Sequence, residues 1–213
     1  MSKSLGNVIS PLAMKEKIGL DAFRYFLLRE SVFGQDADFR EESLHARYNA
    51  ELANNIGNLV SRTLAMQDRY FKGVVQPCTE PTPEIDQKLA AAFAQAAIEV
   101  EQHVTNLSLS RALEAIFRAT DQANKYITET APFTLAKDQA ALPRVGNILH
   151  NLLEALRVSA QLLTPFLPDT CEKIFTLLAL PPELKTAYDL PWGKAFIPGH
   201  QVQKPQPLFP RLT

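Results

Sequence analysis

Few side chains in this sequence have the type and spacing that chemistry demands. The histidines His45, His103, His150 and His200 stand singly, with no H-x-x-x-H pair and no adjacent cysteine, so no metal site is indicated. Cys78 and Cys171 lie far apart without a C-x-x-C motif, which argues against both a disulfide framework and a zinc knuckle. No Gly-rich phosphate loop or serine nucleophile elbow is present. The pair Glu41-Glu42 falls at a helix start, where acidic groups complement the macrodipole. Two features remain. The opening run Met1-Ser2-Lys3-Ser4-Leu5-Gly6-Asn7 joins a lysine, two hydroxyls and a backbone-freeing glycine, a loop that can approach phosphates with a mobile ammonium. Asn54, Asn58 and Arg62, four apart, share a helix face about 130° from the apolar side centred on Leu52, Ile56 and Leu59. Amide donors and acceptors beside a flat guanidinium suit unstacked bases, although on spacing alone the row reads first as a solvated helix face.

The elements that must carry these groups are helical. The 213 residues, 46% hydrophobic and 21% charged, describe an ordinary globular chain of one domain or one with an appendage. Lys plus Arg number 22 against 23 Asp plus Glu, a net charge of −1, which excludes gripping nucleic acid by bulk positive charge and leaves only local patches. Apolar stretches fall short of the roughly 18 residues a membrane span needs, and the N-terminal run lacks a signal peptide's apolar core. A cytoplasmic, reducing setting without membrane contact is the expectation.

Ser10-Pro11 opens a short helix that stops at Gly19, and an apolar helix follows from Leu20 to Arg29. The longest helix is predicted from Glu41 to Phe71, with Leu44, Tyr48, Leu52, Ile56, Leu59 and Leu64 as its apolar side. Thr82-Pro83 is expected to cap a helix from Glu84 to about His103. Further helices span Leu109–Thr130, Pro143–Leu163 and Pro168–Leu178, and Ala131-Pro132-Phe133 breaks the first of them. Short connections between long amphipathic helices predict an all-α antiparallel bundle with an irregular Pro-rich tail. Phe23, Phe26, Phe33, Trp192 and Phe209 are too apolar for free ends and should be covered.

Read together, the opening residues Met1 to Pro11 resemble the KMSKS loop of class I aminoacyl-tRNA synthetases. The segments Asp21–Glu30, Phe33–Phe39, Tyr48–Arg62 and Pro207–Leu212 are similar to the methionyl-tRNA synthetase family in particular. The resemblance covers essentially the whole chain. It implies a C-terminal fragment divided into residues 1–40, a remnant of the KMSKS loop and linking segment; 41–180, a helical anticodon-binding domain; and 181–213, a tail packing back on the body.

The resemblance also implies roles. In the full enzyme, which uses ATP and Mg for methionyl-tRNA formation, Lys3 with Ser2 and Ser4 would contact ATP phosphates; the fragment itself would hold no cofactor and, lacking the upstream catalytic domain of the same polypeptide, would not catalyse. Asn58 and Arg62 match the family's Asn-x-x-x-Arg pair that contacts the anticodon, with Asn54 one turn before them. Pro132 and Phe133 match a segment in which the family carries tryptophan as the stacking ring, so phenylalanine stands here with less area and no indole N–H. Asn124 and Lys125 would line the same end, and Arg62, Arg69 and Lys72, or Arg111, Arg118 and Lys125, would meet phosphates. The implied partner is tRNA with a methionine-type anticodon loop. Two alternatives stay open: a helical assembly bundle without RNA specificity, and the equivalent fragment of another class I synthetase.

Overall fold

A computed structural model describes residues 10–36, 39–78 and 82–212. Ser10 accepts from the Ala13 amide and Pro11 fills the first turn, so α1 (Pro11–Ile18) starts as capping chemistry requires. Gly19, at φ +87°, turns the chain into α2 (Leu20–Glu30), which buries Ala22, Tyr25 and Phe26. The expected long helix is helical throughout and divided in kind: α3 (Glu41–Arg47) leads into a π-helical segment, Tyr48–Gly57, and then α4 (Asn58–Phe71). The segment winds with i→i+5 turns, and its apolar residues Tyr48, Leu52 and Ile56, with Leu44 of α3 before them, are all buried.

Lys72 and Gly73, both left-handed, end α4 with the Gly73 amide donating to the Gln67 carbonyl at 3.0 Å. α5 (Glu84–Thr105) starts at Glu84 as expected, with Pro83 in the cap position in extended backbone. α6 (Leu109–Thr130) returns antiparallel to α5 after a short link and buries Leu113, Ile116, Phe117, Thr120 and Ile127 as its spacing predicts. Ala131, in left-handed backbone at φ 43°, separates it from the one-turn α7 (Pro132–Leu135). α8 (Leu142–Leu163) is the central helix, buried on almost every side, and α9 (Pro168–Leu177) and the short α10 (Pro182–Lys185) follow.

The result is the all-α bundle that the periodicity predicts. Three buried polar arrangements lock it. The Asp86 carboxylate on α5 takes both guanidinium nitrogens of Arg144 at 2.5 and 2.7 Å, the Tyr126 hydroxyl at 2.8 Å and the Asn151 amide at 3.1 Å, joining α5, α6 and α8. On α8, the fully buried Glu154 and Arg157 pair at 2.8 Å and fix the tail, through the Ala195 amide at 2.9 Å and through Gln161 to the Leu184 and Ala187 carbonyls. Asp21 of α2 accepts from the Thr170 amide at 2.6 Å and so caps the N-terminus of α9.

The tail is covered as expected at Trp192, which packs against Phe93 and donates to Asn151, and at Phe209, edge-on to Tyr48. Phe23 and Phe26 form a small cluster with Leu44 and Phe39. Phe33 departs from expectation: it is 68% exposed in a turn past α2, where no described element reaches it. Cys78 is exposed and Cys171 buried, both free thiols. No helix among the described residues is long and apolar enough to cross a membrane.

Two stability predictions follow from these contacts. A Cβ at Gly57 would stand 2.9 Å from the Leu52 carbonyl oxygen one π turn back. Gly57→Ala should therefore destabilise the chain by about 1–2 kcal/mol in denaturant unfolding, although alanine is the better α-helix former. His150 is buried beside Phe196, and burial holds its imidazole below the ordinary value of 6.5. A folded value below the unfolded one gives stability that is complete above 6.5 and is lost as pH falls through the folded value. The unfolding midpoint should drop between about pH 7 and pH 5, and drop less in His150→Gln.

Candidate nucleic-acid interface

The π segment does more than bury apolar residues. Its exit sets the azimuth of the polar row. Asn55 points inward and is buried, donating to the Asp121 carboxylate at 2.7 Å and the Phe117 carbonyl at 3.3 Å. Burial and the neighbouring Glu51 raise the Asp121 carboxyl above the usual range. Glu51 in turn accepts from Tyr25, Arg29 and Arg47, which pins α2 beneath the π segment. Asn54 is exposed, and Asn58 is half-buried with its amide donating to Asn124 Oδ1 at 3.2 Å. Asn124 itself donates to the Asn55 and Thr120 carbonyls at 3.3 and 3.2 Å.

The row is therefore only in part the free stripe that its spacing suggests. Asn54 accepts from Arg211 Nε at 3.0 Å, so the tail overlies one end of it. The ladder from Asn55 to Phe117 and from Asn58 to Asn124 shows that α4 and α6 run parallel here. Arg62, one turn beyond Asn58, consequently lies toward the C-terminal end of α6, where α7 begins. Arg62 is half-buried and has no hydrogen bond or ion pair among the described residues. At that end the left-handed Ala131 turns the chain, Pro132 is buried, and Phe133 stands 50% exposed. Phe133 is thus an offered ring rather than a plug in the core. Pro132 is buried at the turn that presents Phe133.

Other expected cations are placed differently. Lys125 faces away from Asn124, over a groove of about 400 Å³ between α5 and α6, and pairs with Glu129 at 3.5 Å. Arg118 pairs with Glu99, so neither lysine nor arginine on this face of α6 joins the Asn58 row. Arg69 lies over the Tyr70 ring on the exposed side of α4, and Arg111 is exposed at the far end of α6. Spacing missed Asn55, Asp121 and Arg211. Asn55 follows Asn54 directly, but at about 100° per residue it turns toward the apolar side while Asn54 turns away from it. Arg211 is 157 positions from Asn54, beyond any local pattern.

The expected ATP contacts Ser2, Lys3 and Ser4 lie outside the described residues. Among the described residues no group of three or more His, Cys, Asp or Glu side chains is arranged to hold a metal ion.

Comparison with known proteins decides the family. Residues 77–213 match the anticodon binding domain of methionyl tRNA ligase, and residues 1–64 match the class I tRNA synthetases of the methionine type. The chain belongs to the methionyl-tRNA ligase family. It is 42% identical to the methionine–tRNA ligase of Caldanaerobacter subterraneus and 41% identical to that of Bacillus subtilis, in each case over all of this chain. It spans about a third of the length of these curated relatives, 33% and 32%. The Mycobacterium tuberculosis methionyl-tRNA synthetase in complex with methionyl-adenylate superposes with a TM-score of 0.92 at 35% identity, over 99% of this chain and 41% of that one. The free form of that enzyme gives 0.89 at 33% identity, over 96% and 41%. The match to the methionine-type family removes the alternative of a fragment from another class I synthetase.

The exposure of Phe133 yields a simple check. Phe133→Ala should cost less than about 1 kcal/mol of unfolding free energy, against about 3–5 for a phenylalanine buried in a core.

Proposed function

We propose that this chain reads the anticodon of a methionine-type tRNA for a longer methionine–tRNA ligase, in which a catalytic domain of the same polypeptide joins methionine to tRNA with ATP and Mg. Residues 1–40 serve as linking segment, 41–180 as recognition bundle and 181–213 as tail, with Ser2, Lys3 and Ser4 facing ATP phosphates in the complete enzyme. One observation carries the reading: Asn58, Arg62 and the exposed Phe133 lie toward one end of the bundle, on elements held by Asn124 and by the turn at Ala131.

The chemistry of that arrangement favours splayed bases. Single-stranded loops offer unpaired Watson–Crick edges and open ring faces. The Asn58 amide, partly satisfied by Asn124, keeps an acceptor oxygen and a second N–H for a base edge. Arg62 offers an unengaged planar fork, and Phe133 a ring on which a base can stack. Asn54 extends the row, and Pro132 fixes the turn that presents Phe133. A chain with net charge −1 must select RNA through such contacts rather than through a broad positive field.

The test is binding of the purified chain to a stem-loop bearing a methionine-type anticodon and to the same stem with a scrambled loop. The wild type should prefer the former. Asn58→Ala or Arg62→Ala should cost about 1–3 kcal/mol, roughly 5- to 150-fold, on the matched loop and far less on the scrambled one. Equal losses on both loops would reduce the site to non-specific charge. A wild type that binds neither RNA would favour the assembly bundle instead.

A further inference from the structure

We propose that the groove between the π segment and the C-terminal strap is a second RNA subsite, in which Arg211 holds a backbone phosphate of the strand whose bases meet Asn58 and Arg62. The proposal rests on the anticodon reading above and extends it to a residue that the Asn–Arg row does not include.

The strap is built to hold one guanidinium still. Phe209 packs edge-on against Tyr48 with ring centroids 5.8 Å apart. Three residues later the Leu212 backbone is clasped on both sides by one amide: its N–H donates to Asn49 Oδ1 and its carbonyl accepts from Asn49 Nδ2, each at 2.9 Å. The Leu212 side chain packs against the Phe23, Phe26 and Leu44 cluster. Arg211, fixed between these anchors, is exposed and turns toward the π segment, where its Nε donates to Asn54 Oδ1 at 3.0 Å. That bond engages Nε and leaves the terminal nitrogens without a hydrogen bond among the described residues. No carboxylate pairs with Arg211 among the described residues, whereas Arg29, Arg47, Arg118, Arg144 and Arg157 all have one.

Beside it lies a groove of about 220 Å³ lined by Asn54, Gly57, Asn58, Ser61, Phe209 and Arg211. Gly57 contributes bare backbone to its floor; a Cβ there would come within 3.7 Å of Phe209 Cδ2 and narrow the passage. A planar fork with its axis already set suits a phosphate, whose oxygens it can take in pairs. The Ser61 hydroxyl adds a neutral donor of the kind that positions a sugar–phosphate chain without reading sequence. One helical turn, about 6 Å, separates this point from Asn58, so a strand whose bases face Asn58 and Arg62 carries an adjoining phosphate over Arg211.

The contact should therefore add affinity without adding discrimination. Binding of the matched and scrambled stem-loops to the full chain, titrated over roughly 50–200 mM salt, separates the two. Arg211→Ala should weaken both RNAs by the same factor, about 5- to 10-fold, and flatten the dependence of log K on log salt by about 0.7–1. Arg211→Lys should keep the wild-type slope. Unchanged affinity and slope in Arg211→Ala, with Asn58→Ala still losing its preference, would overturn the subsite and leave the anticodon reading standing. A loss confined to the matched loop would overturn the phosphate assignment. A wild type that binds neither RNA would remove both.

Discussion

One buried carboxylate organises the end of the bundle on which everything else rests. Asp86, almost wholly removed from water, would be prohibitively placed without partners, and it has four bonds from three residues on two other helices. Arg144 arrives from the first turn of α8, Tyr126 from the last turns of α6, and Asn151 from a point further along α8 that also accepts from Trp192 in the tail. The Asp86 bonds hold the Arg144 guanidinium above its usual value, and burial beside the same carboxylate raises the Tyr126 hydroxyl, so both remain proton donors across the working pH range. Because Tyr126 lies two residues after Asn124 and five before Ala131, the network fixes both the partner of Asn58 and the turn that exposes Phe133. The face proposed to meet RNA is thus the outer side of a joint whose inner side is electrostatic.

The second constraint is the π winding, and it shows where local reading succeeds and stops. Hydrophobic spacing identified every long helix to within a few residues and the apolar face of each. The four-residue spacing of Leu44, Tyr48, Leu52 and Ile56 is that of any amphipathic helix and does not announce the π winding; Gly57, where a side chain would press on the Leu52 carbonyl, marks its end. Helical spacing already turns Asn55 toward the apolar side and Asn54 away from it. What spacing could not supply was the partner of each: Asp121 for Asn55 and Arg211 for Asn54, both far away in sequence.

Long-range placement was legible only through resemblance or not at all. Phe133 and Arg62 meet one end of the bundle because α4 and α6 run parallel, which follows from the whole chain path and from no single segment. The tail is the plainest case. Its composition said only that it was too apolar to be free, and its route back over the π segment depends on a buried ion pair in α8, a short backbone pairing of Val74 with Gln201, and the Asn49 clasp. Phe33 marks the converse failure: the rule that large apolar side chains seek cover names no partner, and at 68% exposure it has none among the described elements.

Charge distribution joins these observations into one account of selectivity. A net charge of −1 leaves no long-range pull on a polyanion. Many of the cations are also committed internally: Arg144 to Asp86, Arg157 to Glu154, and Arg29 and Arg47 to Glu51. Such pairs, where they are buried, hold geometry at some cost in desolvation and contribute little field outside the protein. Arg62 and Arg211 differ from them in having no carboxylate and in lying on either side of Asn58 along the same helical path. These two guanidinium groups are the ones that the proposed RNA strand would meet. On the proposed reading the two roles are separate: a phosphate contact at Arg211 adds affinity to whatever strand enters the groove, while discrimination rests on the base contacts at Asn58 and Arg62.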